Sequence, residues 1–384
     1  MESTSFSFPT NVVVGPGVIG RINETLISIG IHRPMVVTDA GLLTTDSFKK
    51  LTAAFLPGEL NRDWFLYSDV QPNPTEANTR GAAELAIEKG CDGIIGFGGG
   101  SALDAAKVCR VLIKKPKLKL IDYDWEADWS GILPFIAVPT TAGTGSEVGR
   151  SGVVTPEGAK SKGMFFHPEL LAKYVFLDAE LSVGLPPALT AATGLDALTH
   201  CIESFTSPVF QPLCDGIALE GISLIVRALP TAITDGSNTE ARSNMLVAAA
   251  MGGVAFQKDL GATHSLAHPL SAICGVHHGT ANAICLPYVM RFNSRQKPGV
   301  YRRIGIACGL DVVSSSDADA DEQVIHFIED FIKQCGMPLS LEDVGVEEQH
   351  IDSLTDQAWL DPCHQTNPVP VTREDLKELF LKAL

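Results

Sequence analysis

The sequence is short of positive charge. Lys and Arg total 29 against 45 Asp and Glu in 384 residues, a formal net charge of −16 with a pI near 5.0. That balance excludes broad electrostatic binding to nucleic acid or to an anionic membrane, while leaving room for a local positive pocket that takes a small substrate. The nine cysteines include no CxxC pair and read as free thiols of a reducing cytoplasm. The N-terminal MESTSFSFPT lacks a basic stretch followed by an apolar one, so it is not a secretory signal. No uncharged apolar run approaches the ~20 residues that span a bilayer. The expectation is a soluble cytoplasmic protein without a membrane partner. Neither a collagen-like glycine period nor an internal repeat is present, and 45% hydrophobic with 19% charged residues excludes a disordered chain. The length corresponds to roughly two or three domains and buries a core without disulfide or metal staples.

What is present changes character near the middle. Asn11–Gly15, Met35–Thr38, Trp64–Tyr67, Gly93–Phe97, Phe135–Val138 and Tyr174–Leu177 are short apolar runs that read as strands. Amphipathic stretches at Thr75–Lys89 and Ala102–Leu112 lie between them. Apolar strands alternating with helices predict a mostly parallel sheet covered on both faces. After Gly184, Leu185-Pro186-Pro187 breaks the chain, and Ala188–Phe205, 214–229, 239–257, 320–335 and Arg373–Leu384 read as helices. We therefore expect an α/β domain over 1–184 and a nearly all-helical domain over 185–384. Ser314–Asp321 reads as a solvated loop.

Two polar loops stand at strand ends. Gly98-Gly99-Gly100-Ser101 follows the GIIGF run and precedes a helix, so its backbone can approach a pyrophosphate at a helix N-terminus. The pattern is not GxGxxG with an acidic residue about 20 positions on, so the usual dinucleotide fingerprint is absent. Pro139–Glu147 (PTTAGTGSE) follows the FIAV run and offers the hydroxyls of Thr140, Thr141 and Thr144. Loops at the carboxyl ends of successive strands are where open α/β sheets bind ligands. Asp39 ends the MVVT run, placed either to accept from adenosine ribose hydroxyls or to cap the following turn. Lys162 could reach a cofactor phosphate or ribose, or be solvated.

Five of the ten histidines lie between positions 200 and 278. Asp196 and His200 are four apart in TGLDALTHCIE, which on a helix puts both on one face, and His264 and His268 repeat the spacing in HSLAHPL. One carboxylate with three imidazoles can close around a divalent metal: Asp196, His200, His264 and one of His277 or His278. Imidazole suits zinc, iron, copper and nickel alike. A metal there would polarise a carbonyl or stabilise an alkoxide, as alcohol oxidation by hydride transfer requires.

These residues resemble the iron-containing (group III) alcohol dehydrogenases. The matching stretches are VQPNPT at 70–75, GGGSALDAAK at 98–107, PTTAGTGSEV at 139–148, TGLDALTHCIES at 193–204, HSLAHPL at 264–270 and HHGTANAICLPYVMRFN at 277–293. They occur in the family's order over essentially the whole chain, most like the branch with lactaldehyde reductase and 1,3-propanediol dehydrogenase. The resemblance implies a Rossmann-like N-terminal domain and an all-α C-terminal domain, the architecture shared with dehydroquinate synthase. It also implies a homodimer, and a nicotinamide cofactor held against a divalent iron in the cleft between the domains, with zinc or another divalent ion as a substitute. Its metal ligands fall on Asp196, His200, His264 and His278, and His268 matches a histidine that aids proton transfer. Cofactor contacts are implied for Asn73, Gly98, Gly99, Gly100, Ser101, Thr140, Thr141, Thr144 and Lys162, with Asp39 favouring NAD(H) over NADP(H). Ser151, Phe256 and Cys363 match substrate-pocket positions.

Where many relatives carry threonine and uncharged residues after GSEV, this chain has Gly149-Arg150-Ser151. Arg150 is expected to recognise an anionic substrate such as an acidic semialdehyde, unless it points outward or pairs with a nearby carboxylate. The activity implied is reversible NAD(H)-linked interconversion of a small primary alcohol and its aldehyde. Its rivals are a hydroxyacid–oxoacid transhydrogenase and a metal-dependent lyase of the dehydroquinate synthase type.

Overall fold

A computed structural model describes residues 4–55, 63–159 and 162–384. The chain divides into two compact units. Phe8–Thr141 with Gly145–Leu185 form one. Pro186–Leu384, with Ala142–Thr144 and the chain up to Ser7, form the other. The break at 185/186 falls beside the proline pair. The N-terminal segment and the three residues inside the threonine loop do not follow a simple two-part division at 184.

The first unit is an α/β layer. Its strands are β1 (Asn11–Val14), β2 (Pro34–Val37), β3 (Phe65–Tyr67), β4 (Gly93–Gly98), β5 (Phe135–Pro139), β6 (Ser151–Val154), β7 (Gly163–Phe166) and β8 (Tyr174–Leu177). Its helices are α1 (Ile22–Ser28), α2 (Asp46–Ala54), α3 (Glu76–Lys89) and α4 (Gly100–Lys114). Six strands form one all-parallel sheet in the order β1-β8-β5-β4-β2-β3, and β6 with β7 form a separate antiparallel hairpin. The central strands β2, β4 and β5 are buried at every position, which is why they read as unbroken apolar runs rather than alternating ones. Ile95, Phe97, Ile136, Val138 and Phe176 make up much of the core on one face, joined by Ile22 and Leu26 of α1. The carboxyl ends of β4 and β5 carry the two polar loops side by side: Gly98 pairs with Pro139, and the Thr140 N–H donates to the Gly98 carbonyl at 3.0 Å.

Nine helices build the second unit: α5 (Pro187–Thr206), α6 (Pro212–Thr234), α7 (Thr239–Ala255), α8 (Ala262–Ile273), α9 (His278–Gln296), α10 (Arg302–Ala307), α11 (Asp317–Gln334), α12 (Ile351–Leu360) and α13 (Arg373–Ala383), among the described residues. Pro187 opens α5 at its first position, where the missing N–H costs nothing. Helix α5 is buried almost all round, packing against α6, α7 and α9. By length and composition α6 could cross a membrane, yet Cys214, Ala218, Ile222, Ile225 and Leu229 sit in the helical core, and the helix carries Asp215, Glu220 and Arg227. Asp215 pairs with the buried Lys258, and a one-sided buried stripe with Glu220 and Arg227 exposed opposite it is the pattern of a helix packed with one face on the core. The segment expected to be a loop at 314–321 is half helix: the Ser316 hydroxyl accepts from the Asp319 N–H and caps α11.

Candidate metal centre and cofactor loops

The i, i+4 pair on α5 brings Asp196 and His200 to one face, with the His200 Nε2 4.0 Å from the Asp196 Oδ1. From α8, the His264 Nε2 lies 3.8 Å from the same oxygen, and from the first position of α9 the His278 Nε2 lies at 3.4 Å. Residue 278, not 277, therefore completes the set. Asp196, His200 and His264 are buried, and their ligand atoms all lie within 4.8 Å of one another.

The chemistry of this donor set fits a divalent cation. Burial alone would raise the Asp196 carboxyl, but His200, His278, His264 and the Asn282 amide outweigh it and hold it at about 2. Burial drives His200 down to about 4 and His278 well below the usual imidazole value, so both offer neutral nitrogens. The Asn282 Nδ2 reaches into the set, 2.7 Å from the Asp196 Oδ1, 3.3 Å from the His264 Nε2 and 3.2 Å from the His278 Nε2. One amide faces three acceptors, while its own buried Oδ1 has no partner. Three acceptors sharing a single neutral donor, with the His200 nitrogen beside them, fit a cation.

Neighbouring side chains hold these candidate ligands in place. The His264 Nδ1 bonds the Glu203 Oε2 at 2.6 Å, and the Thr263 N–H donates to the Glu203 Oε1 at 2.7 Å. Burial lowers His264, but the Glu203 bond reverses the sign and raises it. The Gly143 backbone also acts on His200, which places the excursion 142–144 at the centre. Phe256, in the turn after α7, has its ring centroid 5.5 Å from that of His200. His268 lies flat against His278, with centroids 5.2 Å apart, and bonds Asp361 rather than the metal set. Cys363 is buried beside Asp361, and burial pushes its thiol well above the usual range. Glu203 and Asn282 were missed from sequence although each had a signal. Glu203 is seven residues from Asp196, two turns along the same face of α5, and Asn282 is four from His278.

In the α/β unit, Gly99 caps α4 and Gly100 and Ser101 open it, leaving first-turn N–H groups for an anion. Gly98 has φ +141°, which L side chains rarely adopt, and a Cβ there would lie 2.9 Å from that of Ala102. The Thr141 Oγ1 would lie 3.4 Å from a Cβ on Gly99, so the second loop abuts the first. Thr144 packs with the helical unit. Asp39 caps the turn that follows its strand: its Oδ1 accepts from the Leu42 N–H at 3.2 Å, while its Oδ2 stands 3.7 Å from the Cβ position of Gly98 in the neighbouring glycine turn. Asn73 is exposed with φ +56°, in the turn whose Pro74 carbonyl accepts from the Thr155 N–H.

Below the loops lies a buried charge network that sequence reading passed over. The Lys107 Nζ donates to the Ser146 hydroxyl (2.8 Å) and the Ser151 carbonyl (2.6 Å), with the Asp104 carboxylate at 3.7 Å. The Ser146 hydroxyl donates to Asp104 at 2.5 Å. Burial pushes Glu147 up to about 7, against the pull of Lys107. Lys162, half-buried, is lowered by burial and raised by Asp104, so it faces this network. Ser151 contributes its carbonyl here and opens β6. Arg150 just precedes β6, half-buried, its carbonyl accepting from the His167 N–H at 3.1 Å.

Comparison with known proteins covers the whole chain. Residues 9–179 match the profile of iron-containing alcohol dehydrogenase, and residues 190–384 that of the Fe-containing alcohol dehydrogenase family, C-terminal. The sequence is 36% identical over 386 residues to 4-hydroxybutyrate dehydrogenase of Cupriavidus necator, covering 98% of each chain. The fold is similar to that of 1,3-propanediol oxidoreductase, with TM-score 0.94 and 32% identity over 99% of this chain and 100% of that one. It is also similar to sulfoacetaldehyde reductase from Bifidobacterium kashiwanohense in complex with NAD+, with TM-score 0.89 and 28% identity over 100% of each. Matched by family profiles in both halves, the chain belongs to the iron-containing alcohol dehydrogenase family.

Proposed function

We propose that this alcohol dehydrogenase interconverts a short primary alcohol and its aldehyde with NAD(H), and that its substrate is anionic at the end remote from the reacting carbon. The observation that carries the reaction class is the convergence of buried Asp196, His200 and His264, with the half-buried His278 Nε2 3.4 Å from the same Asp196 oxygen. A divalent ion held by these four supplies Lewis acidity to an alcohol or carbonyl oxygen, and nicotinamide supplies the hydride chemistry. The protein's own part is orientation and proton handling. His268 takes the hydroxyl proton during oxidation and returns it during reduction. The first turn of α4, with Thr140, Thr141 and Thr144, takes the pyrophosphate. Asp39 accepts from ribose hydroxyls and repels a 2′-phosphate, which supports NAD(H) over NADP(H). A homodimer follows on the resemblance, and a reducing cytoplasm suits nine cysteines that are all free.

Two things support an anionic substrate: Arg150 just before β6, and relatives whose names specify a hydroxy acid and a sulfonated aldehyde. The test is an aldehyde panel, neutral and anionic, of three and four carbons, with NADH and NADPH on iron-loaded protein. Arg150→Ala should lose about 10–100-fold in kcat/KM on anionic aldehydes alone, the value of one charge-assisted contact. Equal losses on neutral and anionic substrates would remove Arg150 from recognition. Absence of turnover with any aldehyde would remove the reaction.

A further inference from the structure

Helix α8 presents two histidines on one face, and the metal set uses only His264. One turn on, His268 is held by Asp361, whose Oδ2 lies 2.6 Å from the His268 Nδ1. The other carboxylate oxygen is also occupied. Asp361 Oδ1 accepts from the Ser265 hydroxyl at 2.9 Å and from the Cys363 N–H at 2.9 Å, and the Ser265 hydroxyl in turn accepts from the His364 N–H at 2.8 Å. Asp361 thus ties α8 to the turn at 362–366. His268, Asp361 and Cys363 also lie close enough for a second cation. However, the short His–Asp bond already fills that space, and burial keeps the Cys363 thiol protonated.

We propose that Asp361 is a positioning residue for this reaction: it locks His268 in the Nδ1–H tautomer, so that Nε2 is the nitrogen offered to the substrate hydroxyl. A carboxylate can only accept, so the ring nitrogen facing it must carry the hydrogen, and the opposite nitrogen keeps its lone pair. The stack against His278 fixes the plane of the ring, and Asp361 fixes which edge is which. This inference rests on His268 as the proton acceptor.

The two occupied oxygens make Asp361→Asn a sharp probe. Two donors, Ser265 Oγ and Cys363 N–H, converge on Oδ1, so in the variant the amide carbonyl must stay there. Its NH2 then replaces Oδ2 against Nδ1, and the ring is forced into the Nε2–H tautomer, which cannot accept. Zinc-loaded protein with 15N-labelled histidine, studied by two-bond nitrogen–proton correlation, should show His268 protonated on Nδ1 in the wild type and on Nε2 in Asp361→Asn. In iron-loaded enzyme the same change should lower kcat for alcohol oxidation by about 10²-fold or more, with KM and metal content unchanged. The proposal is overturned by a wild-type His268 protonated on Nε2, which needs no variant to fold. It is equally overturned by a flipped tautomer that leaves kcat intact. Absence of NAD-linked turnover in the wild type would instead sink the reaction assignment, and the tautomer result would still stand.

Discussion

Gly279 is the second residue of α9, directly after the candidate ligand His278. A Cβ built there would lie 2.0 Å from the Ala192 carbonyl oxygen, 2.6 Å from its carbon and 3.3 Å from the Asp196 Cβ. The obstacle is backbone, so no rotamer can give way. Carbon and oxygen touch comfortably at ~3.3 Å, so Gly279→Ala must move the start of α9 away from α5 by on the order of 1 Å. Two effects compete. Replacing glycine by alanine in a helix gains at most about 1 kcal/mol, and less in the first turn. Overpacking costs about 1–3 kcal/mol, more where backbone must shift. The loss wins, and it falls on the candidate metal centre. His278 and Asn282 ride on α9, 3.4 Å and 2.7 Å from the Asp196 Oδ1, while metal ligation tolerates errors of only about 0.2 Å.

Gly279→Ala should therefore weaken divalent-metal binding by about 10²-fold and lower the melting temperature of the apo protein. At a metal concentration 100 times the wild-type Kd, the wild type gains about 2.7 kcal/mol from binding, and a variant with 100-fold weaker affinity gains about 0.4 kcal/mol. Thermal unfolding with and without metal, alongside a chelator competition, reads both numbers. Gly216 is the internal contrast. It is exposed on α6 with nothing within 4 Å of its Cβ, so Gly216→Ala should stabilise by up to about 1 kcal/mol and leave metal affinity alone. Wild-type metal affinity and melting temperature in Gly279→Ala would refute the steric reasoning.

Glu203→Gln should weaken metal binding by about 10–100-fold, because the 2.6 Å contact that orients His264 loses its charge. Unchanged affinity in a chelator titration would show Glu203 to be a packing residue only. Glu147 carries a pH signature: burial raises it from 4.5 to about 7. Between those values the folded protein holds a proton that the unfolded chain has lost, so stability falls as pH rises through the window and levels off above it. The drop is about 3 kcal/mol at most, read as urea midpoints from pH 5 to 8. Glu147→Gln should flatten that slope, and an unaltered slope would move the cause elsewhere.

The residues legible in the sequence are those whose geometry is set within one element. Asp196 and His200 share α5, and His264 and His268 share α8, so the helical repeat alone placed each pair on one face. The repeat carries no phase across the break between α8 and α9, so spacing alone leaves residues 277 and 278 open; the resemblance points to His278, and its Nε2 lies 3.4 Å from the Asp196 Oδ1. The buried parallel strands were legible because burial on both faces demands continuous apolar runs. The hairpin β6–β7 was not: each strand has four residues, and Met164 and Phe166 expose apolar side chains that mimic no period. Residues 142–144 read as part of a cofactor loop. Only packing shows that a Cβ on Gly143 would lie 2.8 Å from Thr193 on α5, which draws that short stretch to the helical unit. Asp361 lies furthest from any local signal. It stands 93 residues from His268, outside any shared helix, and only the fold of the 362–366 turn onto α8 aims its carboxylate. Sequence periodicity therefore finds candidate ligands that share a helix. The groups that orient those ligands come from other elements, and only the fold identifies them.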